Sequence, residues 1–358
     1  MAAQDMLPPN SIIGIFGGGQ LGRMLSLAAA RLGFKTHIYC PEENGPASHA
    51  AFAQTNAAYD DLDAVRAFAK TCDVLTYEFE NIPYETAKAA SEHCSLYPGT
   101  LALQTAQDRL VEKSFIRDKA GVAVADFADI TNLADLQNGI EQLCLPAVLK
   151  TRRFGYDGKG QAIIRTPSDI EPALESMKGA PCILERFIPF IREVSIVAAR
   201  STSGEMAAYP VIENVHKDHI LHTSTAPAPK SHADAPKMAF KVMEALGYYG
   251  VMATEFFELD DGSLIVNEIA PRVHNSGHWT QDAGCVDQFE LHIRAIAGWP
   301  LGDVTPKYKM QMTNLIGDDV DETAKLSAEP STFLHLYGKA EARPKRKMGH
   351  INRILGPL

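Results

Sequence analysis

Apolar and polar positions follow two regimes along this chain, and the change between them divides it. Up to about residue 104, short apolar runs are separated by stretches of helical period. Ser11–Phe16, Lys35–Cys40 and Asp73–Tyr77 read as buried strands, with helices at Gln20–Leu32 and Asp63–Thr71. Short apolar strands alternating with helices predict a parallel sheet wrapped on both faces. Leu110–Ala120 is again helical and leads into a strand-rich unit that runs to about 185. Longer strands follow over 186–300, and 301–358 is proline-punctuated and ends in a basic cluster. We therefore expect an α/β unit at 1–104, a linker helix and small flap unit at 105–185, a mixed α+β unit at 186–300, and a C-terminal extension at 301–358.

The most informative pattern is a hairpin. Val251–Glu258 and Ser263–Ile269 read as strands around Asp261-Gly262, and Asp-Gly between apolar runs is a strong hairpin signal. With Asp261 and Gly262 as the central pair of a two-residue turn, Asp260 faces Ser263. Counting outward then sets Glu255 directly opposite Glu268. Cβ atoms so placed lie about 5 Å apart, and like charges there repel. A cation between them would remove the repulsion. Two carboxylates completed by waters and phosphate oxygens suit Mg²⁺, with Mn²⁺ as an alternative. The same residues also fit two solvated glutamates on an edge hairpin with a longer loop.

A second motif weighs toward the metal. In Pro146–Gln161 an apolar strand ends in Lys150; a basic loop with glycines at 155, 158 and 160 follows, and Ala162-Ile163-Ile164 resumes a strand. Glycines let backbone N–H groups approach an anion, and a strand-end lysine adds a point charge for phosphate. No Gly-Lys-Ser/Thr opens a helix, so this is a glycine-rich flap and not a Walker loop. Near the N-terminus, Gly17, Gly19 and Gly22 match G-x-G-x-x-G, and Glu42 stands where a dinucleotide fold places its ribose acid. That match alone says that a helix N-terminus is bared for an anion. An NAD-dependent dehydrogenase would use it for pyrophosphate, but would leave the flap and the paired glutamates unexplained.

Bulk properties exclude several classes. The formal charge of −10 argues against a nucleic-acid surface. Hydrophobic content of 46% suits an ordinary globular protein. The six cysteines show no Cys-x-x-Cys pair and read as reduced, mostly buried thiols of a cytoplasmic protein. No apolar stretch is long enough to cross a bilayer, and residues 1–10 have no signal-peptide pattern.

Taken in order, Gly17–Met24, Tyr77–Asn81, Gln107-Asp108-Arg109, the Lys150–Gln161 loop, Glu213-Asn214-Val215-His216, Asn267–Trp279 and Arg346–His350 resemble the ATP-grasp superfamily over nearly the whole chain. Within it they resemble the branch that carboxylates 5-aminoimidazole ribonucleotide in purine biosynthesis. The resemblance implies a Rossmann-like parallel domain, a flap domain and a mixed grasp domain, with ATP between the last two. It also implies a homodimer that takes ATP, bicarbonate and 5-aminoimidazole ribonucleotide and passes its product to a separate mutase. A related grasp ligase using formate, or a non-catalytic nucleotide-binding protein, are the alternatives.

Site residues follow from the same resemblance. The hinge Glu185-Arg186-Phe187-Ile188 would hold adenine through its backbone, and Glu193 the ribose hydroxyls. Arg109, Lys150, His216, Asn267, Glu268 and the flap residues Gly155, Tyr156, Asp157, Gly158, Lys159, Gly160 and Gln161 would complete the ATP site. Lys150, Asp157 and Arg272 are the catalytic candidates: Arg272 for the bicarbonate-derived anion, Asp157 for the amine. Gly19, Gln20, Leu21, Glu78, Tyr156, Asp157 and Arg272 would meet the ribonucleotide, and Lys339, Arg346 and Lys347 its 5′-phosphate. Two departures stand out. Lys345 replaces a more usual glycine, and Ala270 replaces the metal-binding Asn of many grasp enzymes.

Overall fold

The computed structural model describes residues 6–155, 159–230 and 232–358. Tyr156, Asp157 and Gly158 therefore lie outside the described residues. Three sheets organise the rest. The first is parallel, with β1 (Ile12–Phe16), β2 (Lys35–Cys40), β3 (Ala53–Asn56) and β4 (Val74–Tyr77) in the order β3-β2-β1-β4. Its apolar runs are continuous because both faces are covered. The helix Gln20–Arg31 lays Leu21, Met24, Leu25, Ala28 and Ala29 against Ile13, Ile15 and Ile38 on one face. Phe16, Tyr39, Phe68, Leu75 and Tyr77 pack on the other.

The linker helix Arg109–Asp118 starts at an Asp108 cap, whose carboxylate accepts from the Leu110 N–H at 3.0 Å. It leads to an antiparallel sheet of β5 (Phe127–Ile130), β6 (Ala147–Thr151), β7 (Gln161–Ile164) and β8 (Cys182–Arg186), ordered β5-β8-β6-β7. The β6–β7 hairpin pairs Lys150 with Gln161 across the base of the flap.

A nine-stranded antiparallel sheet follows: β9 (Arg192–Arg200), β10 (Met206–Ala208), β11 (Ile212–Lys217), β12 (Ile220–Ala226), β13 (Gly250–Glu258), β14 (Leu264–Ala270), β15 (Tyr308–Ile316), β16 (Thr332–Leu336) and β17 (Lys347–Pro357). Its order is β14-β13-β9-β11-β12-β15-β17-β16, with β10 on β9. The strands after residue 301 thus extend the sheet that begins at Arg192, through pairs such as Thr225 with Gln311. Among the described residues no helix is long and apolar enough to cross a membrane.

The hairpin differs from the counted one in an instructive way. Leu259 N–H donates to Ser263 O (3.0 Å) and Gly262 N–H to Leu259 O (2.9 Å), so three residues form the loop and Gly262 sits at φ +83°. Glycine is needed there because an L side chain disfavours that region. The longer loop shifts the register by one, pairing Glu258 with Leu264 and Phe256 with Val266. A bulge at Asn267 then shifts it back, and Glu255 does face Glu268. The expected pair is present, but the two-residue turn used to derive it is not.

One other expectation changes. All six cysteines are free, but only Cys40 and Cys182 are buried, and Cys144 is exposed. At Lys345 the backbone takes φ +66°, inside a turn closed by Arg346 N–H to Arg343 O at 3.0 Å. A lysine there holds the left-handed conformation that glycine adopts without cost.

Candidate functional site

One cleft of about 580 Å³ opens between the flap sheet and the nine-stranded sheet. From the flap side, Lys150, Gly155, Lys159, Gln161, Glu185, Arg186, Phe187 and Ile188 line it. From the large sheet come Glu193, His216, Glu255, Asn267, Glu268 and Arg272. Arg109 and Lys347 complete the group of expected residues in this cleft. Gly160, at φ +69°, packs instead against Thr151. Apart from Gly160, the ATP and metal candidates among the described residues are thus brought together from both sheets.

The carboxylate pair is buried and unequal. Burial disfavours ionisation of Glu255, but His274 Nε2, 3.1 Å from its Oε1, holds the carboxyl below its usual range. Glu268 is pushed up by burial and by the charge of Glu255. Such a pair ionises fully when a cation joins it. Among the described residues no three His, Cys, Asp or Glu side chains are grouped to hold a metal. Two carboxylates completed by waters and phosphate oxygens still match the donor preference of Mg²⁺. The bulge places Asn267 beside Glu268 on the cleft wall.

Lys150 Nζ is 3.0 Å from Glu185 Oε2, and Lys113 Nζ lies 3.4 Å from the same oxygen. Burial alone would raise the Glu185 carboxyl, yet the two ammonium groups bring it down to about 2. The side chain of Glu185 therefore fixes Lys150, while its backbone belongs to the expected adenine hinge. Glu193 Oε2 lies 2.8 Å from His216 Nδ1. Burial would lower the His216 pKa, but the carboxylate raises it. Arg109 donates to Thr151 O (2.9 Å) and Gly155 O (3.1 Å), so it anchors the flap at its base. A Cβ on Gly155 would stand 2.4 Å from that guanidinium, which explains the glycine.

The ribonucleotide candidates divide. Arg272 reaches the cleft but forks onto Glu80, with Nη2 at 3.2 Å from Oε1. Gly19, Gln20, Leu21, Glu78, Lys339 and Arg346 lie off the cleft wall, while Lys347 bridges the two regions. Lys339 Nζ donates to Lys347 O (2.7 Å), and burial followed by the charges of Arg346 and Lys347 lowers its pKa to about 8. Glu78 is close enough to offset part of that shift.

The glycine loop carries a correction. The Glu78 carboxylate sits on the N-terminus of the helix Gln20–Arg31, accepting from Gly19 N–H and, at 2.7 Å, from Gly22 N–H. Cβ atoms on Gly17 or Gly19 would strike that side chain at 2.3 and 2.6 Å. The glycines thus admit a carboxylate of the chain itself to the place a pyrophosphate would need. Glu42 is exposed two residues beyond β2, and its carbonyl accepts from Gln54 and Asn56. The dehydrogenase reading is excluded on this geometry, and an anionic phosphate is repelled from this helix end. Ribose hydroxyls, which donate to carboxylates, remain compatible with it.

Comparison with known proteins decides the family. Residues 11–107 match the ribonucleotide synthetase preATP-grasp domain, 116–289 the ATP-grasp domain, and 311–356 the phosphoribosylaminoimidazole carboxylase C-terminal domain. An N5-carboxyaminoimidazole ribonucleotide synthase of Brucella melitensis is 47% identical over 353 residues, covering 97% of each chain. The solved N5-carboxyaminoimidazole ribonucleotide synthetase from Thermus thermophilus superposes with TM-score 0.89 at 43% identity, over 96% of this chain and 93% of that one. The Aspergillus clavatus enzyme, solved with ADP and 5-aminoimidazole ribonucleotide, gives 0.90 at 31% identity over 97% and 94%.

This chain belongs to the N5-carboxyaminoimidazole ribonucleotide synthase family. It is an ATP-grasp ligase of the carbon–nitrogen bond-forming kind. Several ionisable groups at the synthase site carry no role in the sequence reading. Glu80 and His274 stand inside quoted motifs, yet only the fold shows them pairing with Arg272 and Glu255. Glu112 and Lys113 are almost fully buried. Burial and the charge of Glu268 push Glu112 up to about 8. Their spacing from Arg109, on one helix face, is the signal that marks them.

Proposed function

We propose that this chain carboxylates 5-aminoimidazole ribonucleotide at its exocyclic amine, using ATP and bicarbonate. The observation that carries the reading is the facing of Glu255 and Glu268, with Lys150 in the same cleft. Lys150 and the flap place positive charge and backbone N–H groups over the ATP phosphates and exclude water. Glu255 and Glu268 would hold Mg²⁺, or Mn²⁺, which when bound neutralises charge on the triphosphate oxygens.

A bicarbonate oxygen forms a bond to the γ-phosphorus while the bond to the β,γ-bridging oxygen breaks, and ADP leaves with the electron pair. Arg272, oriented by Glu80, offers charge to the carboxyphosphate so formed. The amine nitrogen then bonds the carboxyl carbon, the bond to the phosphate oxygen breaks, and inorganic phosphate departs. Asp157 is assigned to orient that amine and accept its proton. Arg346 and Lys347, with Lys339, take the 5′-phosphate, and Glu78 the ribose side. A cytoplasmic homodimer handing its product to a mutase belongs to the same reading by family likeness.

The test is ADP release with Mg·ATP and ¹³C-bicarbonate, with and without the ribonucleotide, and NMR detection of a labelled carbamate carbon. Ribonucleotide-dependent ADP release with one labelled carbamate per ADP is expected. ADP release supported equally by formate, with no carbamate signal, would overturn the reading.

A further inference from the structure

β14 is the outer strand of the nine-stranded sheet, and on its outer side only an isolated bridge of Val266 to Val124, with Val266 N–H donating to Ala123 O at 2.9 Å, meets its backbone as a strand would. The linker helix covers that side with charged side chains. Ile269 N–H donates to Glu112 Oε1 at 2.7 Å. Lys113 Nζ donates to Asn267 O at 2.5 Å and reaches Val266 O at 3.5 Å. Asn267 is the bulged residue that leaves the β13–β14 pairing, immediately before Glu268. The same ammonium lies 3.4 Å from Glu185, the partner of Lys150.

Arg109, Glu112 and Lys113 stand at i, i+3 and i+4, which is one face of a helix. That face touches the flap sheet at Thr151, Gly155 and Glu185 and the metal strand at Asn267 and Ile269. Hydrogen-bonding an edge strand does not require a cation. Lys113 is 1% exposed, and burying its ammonium carries a desolvation cost that a hydroxyl or a backbone amide in its place would avoid. What a cation adds is simultaneous attraction to the Asn267 carbonyl on one lobe and the Glu185 carboxylate on the other.

We propose that Lys113 is a positioning residue for phosphoryl transfer, holding the bulge that aims Glu268 at a fixed place relative to the Lys150–Glu185 pair. This inference rests on the ATP-dependent carboxylation reading. Without the ammonium, the bulge and the flap sheet lose their shared contact. Lys150 and Glu268 then no longer converge on the same phosphate oxygens. Misplacing a charge stabiliser lowers the rate of the chemical step more than it weakens ground-state binding.

The test compares Lys113→Met, Lys113→Gln and Lys113→Arg, with kinetic constants normalised to folded protein. Lys113→Met is expected to lower kcat at least about tenfold and to raise the Mg²⁺ concentration for half-maximal rate, with KM for the ribonucleotide within about twofold. Lys113→Gln, which keeps a donor without the charge, should behave similarly. Lys113→Arg should fall between Met and wild type. A purely structural role would lower the melting temperature but leave kcat and the Mg²⁺ midpoint of the folded fraction unchanged, and that result overturns the proposal. If the Met variant fails to fold, Gln decides by the same two readouts. If neither folds, the Arg variant decides by its Mg²⁺ midpoint. A wild-type protein that releases no ADP would count against the carboxylation reading instead, whatever the Lys113 variants do.

Discussion

The two ends of the synthase site are built on opposite electrostatic plans. At the nucleotide end, polar side chains answer one another: Lys150 and Lys113 pair with Glu185, Arg272 pairs with Glu80, and the His274 ring lies against Glu255. Repulsion remains at Glu268, from Glu255 across the place where a cation would sit and toward Glu112 on the linker helix. At the proposed ribonucleotide end, Lys339 and Arg346 donate to backbone carbonyls, and burial, followed by the charges of Arg346 and Lys347, depresses the Lys339 pKa. One end is assembled before its ligand arrives, as electrostatic catalysis requires. The other holds a positive field that an arriving phosphate dianion would satisfy. Under the proposed assignment, chemistry and recognition divide between the two ends, and variants should separate them.

The largest effect is expected at Glu268. Glu268→Gln keeps the shape and removes one charge, and losing one major electrostatic stabiliser costs roughly 3 kcal/mol, or at least about a hundredfold in kcat. The free variant should melt no lower than wild type. The Glu268 carboxyl is raised in the fold, so its proton is held more tightly there than in the unfolded chain, and its charge destabilises the fold at neutral pH. Near wild-type turnover at saturating Mg²⁺ would remove Glu268 from the metal site and erase the contrast.

Next in size is the phosphate end. Replacing both Arg346 and Lys347 by Ala should raise KM for the ribonucleotide tens- to hundreds-fold, because charged hydrogen bonds are worth about 1.5–3 kcal/mol each. KM for ATP should move far less. If both constants stay at wild type, the basic run is a solvated surface and the positive field has no recognition role.

A pH profile sharpens the same point. Lys339 has its folded pKa lowered to about 8 from 10.5, so it loses its charge in the fold while the unfolded chain remains protonated. KM for the ribonucleotide should therefore climb as pH rises through about 8. Stability should increase over the same window, since the unfolded state binds more protons there. In Lys339→Met the pH-dependent rise in KM should disappear; its persistence would assign the titration to another group.

How much of this contrast the sequence carries differs between its halves. The parallel sheet was legible because apolar runs such as Ile12–Phe16 signal burial on both faces. The Glu255–Glu268 pair was legible only through two compensating shifts, a three-residue loop and a bulge, which residue counting cannot see. Glu112 and Lys113 were not read from the sequence, although their spacing from Arg109 puts all three on one helix face. A Glu-Lys pair on a helix ordinarily faces water, and only the position of β14 at a sheet edge turns it inward. The role of Glu78 was hidden too, since nothing local to Gly17–Gly22 says that a carboxylate 56 residues beyond Gly22 fills the helix end.

The smallest predicted effect concerns Lys345. Lys345→Gly removes a left-handed lysine whose strain is about 1 kcal/mol, partly offset by the greater chain entropy of glycine. A stability gain of a few tenths of a kcal/mol is expected by denaturant unfolding, with KM for the ribonucleotide unchanged or lower. A loss of stability would mean that the Lys345 side chain makes a compensating contact.

The division between the two ends is tested most directly by crossing the first two variants. Steady-state ADP release would be measured for Glu268→Gln and for the Arg346→Ala/Lys347→Ala double variant across ribonucleotide concentration, at saturating Mg·ATP and bicarbonate. The account predicts that Glu268→Gln lowers the plateau and leaves the half-saturating concentration in place. The double variant should move the half-saturating concentration and keep the plateau. If either variant changes both quantities to a similar degree, the nucleotide and ribonucleotide ends do not work as separate electrostatic units, and the account is wrong.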